Sequence, residues 1–542
     1  MAPADPSADS APAAAPARRG AAAFVVAAGI LASRLFGLVR ERVFAHYLGN
    51  SDAAGAFKAA LRIPNLLQNL FGEGVLSASF IPVYARLLRE GRQREAARVA
   101  SVVASLLTVL VAVLVLAGVL LSRPLIDVVA PGFTGDVREL TISMVQIMFP
   151  GVGLLVLSAW CLGVLNSHHR FFLPYFAPVV WNVAIIAALF ALGGHAAGTR
   201  LGQMRLAEQL AWSTVVGAVL QLVVQLPSVV RLVRPLRPSL ALGPDERTVL
   251  TNFVPRLLGA GASQIAAYIS QLLSSYLTAS IVAAMAYAQT LYTLPVSLFG
   301  MASAAAELPK MSSELGTDEE IAAALRARLQ PALARIVFFV VPSTAAFLVL
   351  GDVIAATLFQ TGKFVAHDSD LVWMILAGST VGLLAATQAR LLSAAFWALR
   401  DTRTPLAFAL VRVTLTAVAG WAVALPLRAR FGWDVGWAAA GLTASAGAAG
   451  WLEYWLLRRA LVARIGAFSV GARTTVRCWV AAIFGALPAF ALHRLVPLVG
   501  HPVVEGALVL GLFGAIYVGV TMLLGVGEAG ALVERVRRRL RR

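Results

Sequence analysis

The chain has 542 residues, 59% of them apolar and only 13% charged, with a formal net charge of +18. A soluble enzyme and a nucleic-acid-binding domain are both excluded. The basic residues form no compact domain, and apolar runs such as VVASLLTVLVAVLVLAGVLL from Val102 are long enough to cross a bilayer.

Residues 1–20, MAPADPSADSAPAAAPARRG, are rich in Ala, Pro and Asp with no apolar face, which predicts a disordered cytoplasmic tail. Arg18-Arg19 before an apolar run mimics a twin-arginine export signal, but Arg34 inside that run and the many spans after it argue against one. From Ala21 to Gly525 the hydropathy pattern gives fourteen spans, hence an all-α polytopic membrane fold. Six spans over residues 21–235 form a first bundle, six over 245–464 a second, and spans 13 and 14 fill 470–526. Residues 527–542 are a basic cytoplasmic tail.

The two bundles are predicted from an internal duplication. YLGNSDAAGAFKAALRIPNLLQNLFG, ending at Gly72, matches YLTASIVAAMAYAQTLYTLPVSLFG, ending at Gly300. A helix, a basic turn and a proline then recur at SHHRFFLP, ending at Pro174, and RDTRTP, ending at Pro405. The offsets, 228 and 231 residues, agree, and both copies have the same predicted orientation. Such parallel repeats build transporters that open alternately to either side by rocking one half against the other.

Charge distribution sets the orientation. One alternating set of loops, with the two tails, holds 29 of the 45 Lys and Arg, and the opposite loops hold 8. The rule that positive loops stay inside therefore puts both termini in the cytoplasm. Eight cations remain within spans: Arg34, Arg40, Arg42, Lys58, Arg62, Arg256, Arg390 and Arg412. Of the carboxylates only Glu41, Glu73 and Glu307 are placed as deep. Each cation costs about 2.5–3.5 kcal/mol at the bilayer centre on insertion scales, so these eight must face protein or water rather than lipid. Arg34, Gly37 and Arg40 share one helical face, and Lys58 and Arg62 are an i, i+4 pair. The surplus charge is positive, so the favoured cargo is an anion, and guanidinium forks grip phosphate at two points. For Arg42 and Arg412 a snorkelling side chain is an equal alternative.

Other candidates carry less. His168-His169 falls in a predicted cytoplasmic turn, and Trp181, Trp397, Trp451 and Trp455 suit interfacial belts. Cys161 and Cys478 give neither a disulfide framework nor a metal-ligand spacing. With no Ser-His-Asp, paired-carboxylate or phosphate-loop motif in context, neither an enzyme nor a cofactor is expected.

Several segments together resemble the MurJ (MviN) family of lipid II flippases, in the multidrug, oligosaccharidyl-lipid and polysaccharide exporter superfamily. They are SRLFGLVRE at Ser33, RIPNLLQNLFGEG at Arg62, APGF at Ala130, FPGVGLL at Phe149, NSHHRFFLPYFAP at Asn166, VLQLVVQLP at Val219, LFQTGKF at Leu358 and FWALRDTRTP at Phe396. The resemblance implies two six-helix bundles around a cationic cavity that takes the diphosphate and sugar-peptide head of lipid II, a hydrophobic groove associated with spans 13 and 14, and a polyprenyl tail that stays among membrane lipids. It matches Arg34 and Arg40 to the span 1 arginines, Arg62 to the basic residue before Pro-Asn, Glu73 to the span 2 glutamate and Arg390 to the basic residue of span 10. Three positions depart from it: Gly55 stands for an aspartate, with Asp52 nearby, Gln68 for an arginine, and Gln289-Thr290 for an Asp-Arg pair. Arg62 and Arg256, the latter expected at the start of span 7, are the candidates to restore the phosphate grip. The expected protein is a monomeric flippase that moves lipid II outward without binding nucleic acid. Export of another polyprenyl-diphosphate glycan, or a non-transporting scaffold of cell-wall synthesis, remains an alternative.

Overall fold

The computed structural model describes residues 16–71, 73–196, 198–314, 317–469, 471–495 and 501–540. Side chains at 16–25, 27, 73–74, 77–78, 195–196, 254–256, 258–267, 535–536 and 539–540 are outside that description. Every named element among the described residues is helical, as hydrocarbon demands of a chain that must satisfy its own backbone.

The first half runs α1 (Pro16–Leu48), α2 (Asp52–Phe71), α3 (Glu73–Arg89), α4 (Gln93–Leu120), the short α5 (Ser122–Val129), α6 (Gly135–Ser167), α7 (Phe172–Ala196) and α8 (Arg200–Leu232). The second runs α9 (Pro244–Ser275), α10 (Ala279–Pro295), α11 (Ala302–Ser312), α12 (Asp318–Val349), the short α13 (Gly351–Phe359), α14 (Ala366–Thr380), α15 (Leu383–Ala398), α16 (Arg403–Ala422), α17 (Arg428–Phe431) and α18 (Val435–Ile465). In each half a long helix, α4 or α12, is followed at once by a short one, α5 or α13, and longer helices complete the half. In the second half Pro295 lacks the N–H that would continue the ladder and a π-helical turn, Val296–Met301, takes its place. The chain ends with α19 (Ala472–Leu495), α20 (Pro502–Leu523) and α21 (Gly527–Leu540).

Among the described residues nine helices are long and apolar enough to cross a membrane, or ten if α14 and α15, bent by 47° at Val381-Gly382, form one span. Residues 1–15 of the expected N-terminal tail lie outside the described residues, and residues 16–20 belong to α1 (Pro16–Leu48). Of the expected C-terminal tail, Gly527–Leu540 is the helix α21, and its Ala529 is fully buried.

In the first half α6, α7 and α8 pack on one another, with α1 against α7 and both α2 and α4 against α6. In the second, α18 is the centre, contacted by α14, α15 and α16, while α19 and α20 pair and dock on α12 and α13. Helix α9 touches both α3 and α16, and α10 packs on α2. The largest buried apolar cluster joins the halves where α1, α2, α10 and α13 meet, with Phe44 against Phe57 and Tyr287 against Phe359 and Phe364. A second cluster, around Phe80, Tyr84, Leu87, Val99 and Trp160, lies within the first half toward the other end of the helices.

Candidate functional site

The short stretch from Arg40 to Arg42 is resolved into three different environments. Glu41 is 6% exposed and accepts from two cations: Arg40 Nη2 at 2.7 Å and Lys58 Nζ of α2 at 2.5 Å. Arg40 also lies over the Trp181 ring of α7, 4.9 Å from its centroid. Lys58 faces Phe44 at 4.3 Å and Tyr287 at 5.5 Å, so its ammonium is walled by π-faces and one carboxylate. The triad carries two positive charges against one negative. Trp181, expected at an interfacial belt, is instead an interior platform whose Nε1 donates to Thr214 O at 3.1 Å.

Arg42 leaves the triad and crosses to the second half. Its Nη1 donates to Thr357 O at 2.7 Å and Leu358 O at 2.8 Å, the last carbonyls of α13, where the helix dipole favours a cation. This places a function on Arg42 that neither snorkelling nor a cavity role had suggested. Around it the halves close on each other. Lys363 N donates to His46 O at 2.8 Å, His46 Nδ1 and Thr361 Oγ1 are 2.8 Å apart, and Tyr287 OH donates to Gly49 O at 2.9 Å. Gly49 ends α1 with φ +58°, and a Cβ there would stand 2.6 Å from Lys363 O; only glycine satisfies both the left-handed turn and the contact. Gly55 lets α2 cross the start of α10 so tightly that a Cβ would sit 1.9 Å from Ala279 O. The aspartate that the resemblance puts at this position has no room in this packing, and Asp52, its nominal stand-in, lies 3.9 Å from Arg200 instead.

The remaining predicted residues are not gathered into one cluster. Arg34 is exposed, about one and two-thirds turns from Arg40 on the same helix. Arg62 is partly buried, and its carbonyl accepts from Tyr268 OH of α9 at 3.0 Å. Gln271 of the same helix donates to Ala59 O at 3.4 Å, so α9 supports the α2 backbone around Pro64, whose missing N–H and bulky ring interrupt the ladder. Arg390 is exposed on α15. The side chains of Glu73 and Arg256 lie outside the described residues. Arg256 is not at a helix start, however. Helix α9 begins twelve residues earlier, where Pro244 occupies the first turn and Glu246 Oε2 accepts from Gly243 N at 3.0 Å.

One carboxylate was missed. Glu453 of α18, its side chain 13% exposed, stands 2.8 Å from Arg412 Nε. Its sequence neighbours, Trp451 to Arg459, read as the end of a span, and only the length of α18 puts Glu453 deep. Glu307, counted among the deep carboxylates, pairs with Arg335 at 3.3 Å and Lys310 at 3.5 Å. At the positions that depart from the resemblance, Thr290 Oγ1 donates to Ala286 O of its own helix and Gln289 Nε2 to Thr293 Oγ1, both at 3.0 Å; neither restores a charge. His168 is more than a solvated turn residue, since its Nε2 meets Tyr84 OH at 2.9 Å.

The family model described as "Lipid II flippase MurJ" matches residues 44–517. The chain belongs to the MurJ family. A probable lipid II flippase MurJ of Rhizobium tropici is 31% identical over 95% of this chain and 96% of its own length. A lipid II flippase MurJ of Burkholderia cenocepacia is 31% identical over 73% of this chain and 76% of its own. The MurJ fold is matched by a solved structure described as "Lipid II flippase MurJ, inward closed conformation", with TM-score 0.74 at 20% identity over 92% of this chain and 98% of that one. An inward-facing multidrug resistance MATE family transporter of the MOP superfamily follows at TM-score 0.61 and 16% identity, covering 80% and 95%. This MurJ relative is therefore a multi-pass membrane protein of a transporter family, not an enzyme.

Proposed function

We propose that the chain flips lipid II from the cytoplasmic to the outer leaflet of the bacterial inner membrane as a monomer. The observation that carries this is family membership over nearly the whole chain. In this reading residues 21–235 and 245–464 rock against each other, with both termini cytoplasmic, and residues 470–526 are an addition beside the second bundle. Arg34, Arg40, Lys58, Arg62, Glu73, Arg256 and Arg390 contribute to a polar vestibule in which the cations hold the diphosphate while the polyprenyl chain remains in lipid. The physical support is the cost of the alternative: a diphosphate bare in hydrocarbon is far more expensive than one among guanidinium groups. With the termini inside, the contacts of Arg42, His46, Gly49 and Gly55 with the second half lie at the outer end, so the state described is closed to the outside.

The test uses vesicles containing fluorescent lipid II and the purified protein, with the label destroyed by an impermeant reagent outside. The accessible fraction should rise only with the protein, and substitution of Arg40 or Arg62 by Gln should remove the increase. Binding without translocation would favour the scaffold, and equal transport of a polyprenyl diphosphate carrying an unrelated glycan would favour the broader exporter.

A further inference from the structure

The Arg40 guanidinium is held on two sides and open on the third. Nη2 donates to Glu41 Oε1 at 2.7 Å, and the Trp181 ring of α7 lies under its face, with Cζ 4.9 Å from the ring centroid. The rest is free: the Arg40 side chain is 19% exposed, Nε and Nη1 have no hydrogen-bond partner among the described residues, and neither is sealed from solvent. Lys58, the other cation on Glu41, is enclosed instead by Phe44 and Tyr287. Of the two, Arg40 is the one with donors to spare.

Trp181 is itself fixed from behind. Its Nε1 donates to Thr214 O of α8 at 3.1 Å, and one turn further along, Gly217 passes so close that a Cβ there would stand 2.8 Å from Trp181 Cδ1 and 3.1 Å from its carbonyl oxygen. Any other residue at 217 would have to move the ring or the α7 backbone.

The two contacts on Arg40 do different things. A single hydrogen bond at Nη2 lets the guanidinium turn about that bond. An aromatic face attracts the cation and keeps it flat, which removes the turn. An arginine ordered in this way has already lost the rotamer freedom that it would otherwise give up on gripping an anion.

We propose that Trp181 is a positioning residue of the cargo site: it holds the Arg40 guanidinium in one plane, with Nε and Nη1 presented to the oxyanions of a diphosphate head group, and Gly217 makes the room that the ring needs. This rests on the flippase function proposed above. Trp181 touches no cargo in this arrangement, and its contribution is made through Arg40.

The full-length protein in nanodiscs is titrated with fluorescent lipid II. Trp181→Leu, which keeps an apolar side chain but removes the π-face, should weaken binding about fivefold, the equivalent of one cation–π contact. Trp181→Phe keeps a face without the N–H and should recover most of the affinity. Gly217→Ala, which meets Trp181 rather than Arg40, should weaken binding in the same sense by displacing the ring. In an Arg40→Gln background, neither Trp181→Leu nor Gly217→Ala should have any further effect on binding. Equal losses with and without Arg40, a Phe variant no better than Leu, or a Trp181→Leu protein that binds like the parent would overturn the positioning role. Melting temperatures separate misfolding from lost orientation, because a purely structural ring would lower midpoint and affinity together in both backgrounds. A parent that binds lipid II but does not move it between leaflets overturns the transport function and leaves the role of Trp181 standing; a parent that does not bind lipid II overturns both.

Discussion

Replacing Glu41 by Gln tests whether the first-half triad is held as its geometry indicates. The carboxylate now serves Arg40 at 2.7 Å and Lys58 at 2.5 Å. An amide can accept from one of them and must present its NH2 to the other, placing donor against donor. Arg40 retains the Trp181 face at 4.9 Å, but the Lys58 side chain is only 9% exposed, so water replaces the lost partner poorly. Breaking a buried pair in this way costs about 3–5 kcal/mol, most of it the uncompensated charge. Lys58→Met alone should cost less, because Glu41 keeps Arg40. Combined with Glu41→Gln it should recover at least about 2 kcal/mol, since the stranded cation is gone. The assay is the thermal unfolding midpoint in detergent, read by tryptophan fluorescence for the parent, both single variants and the double. A Glu41→Gln midpoint equal to the parent's, or a double variant as unstable as the sum of the singles, would refute the coupling.

Two further outcomes follow from close contacts elsewhere. Gly55→Ala places a methyl 1.9 Å from where Ala279 O now stands, so α2 and α10 must separate at a cost of about 1–3 kcal/mol; a cysteine introduced at Thr361 should then react faster with an impermeant thiol reagent, and an unchanged rate would sink the idea that this crossing keeps the outer end shut. Asp401 accepts from Thr404 N at 3.0 Å and Thr404 Oγ1 at 2.7 Å and pairs with Arg464 at 2.6 Å, and these partners, Thr404 foremost, hold its carboxyl below the usual carboxylate range. A depressed folded-state value contributes stability above the unfolded value of about 3.9 and loses it as pH falls through the folded one. Asp401→Asn, which keeps the acceptor but not the charge, should therefore lower the midpoint slightly at pH 7, by less than about 1 kcal/mol because Arg464 is half exposed, and the difference should shrink as pH falls below the unfolded value; a difference that grows on acidification would contradict the assignment.

Much of the molecule is written in its linear order. Long apolar runs can satisfy their backbone in lipid only as helices, so the all-helical fold follows from composition alone. The duplication showed as matched segments because both halves answer to the same packing demands, and the repeated element order, down to the short α5 and α13, carries it into three dimensions. The cost of charge in hydrocarbon also singled out Arg40 and Lys58 before any contact was known.

Partnership was decided by the tertiary structure. Arg40, Glu41 and Arg42 are consecutive, yet one stacks on Trp181, one is shared with Lys58 and one caps α13, 315 residues away. Helical periodicity fixes the direction in which each side chain leaves the helix, but what it meets depends on which helix packs there. The same holds for Glu453, which hydropathy placed near the end of a span and which the length and packing of α18 bring to Arg412. Gly55 makes the point in reverse: by sequence it is a lost carboxylate, and in space it is the gap that lets two helices touch. Local pattern sets which residues can turn inward, because that depends on helix geometry alone. Which of them pair is a property of distant segments brought together, and no short stretch encodes it.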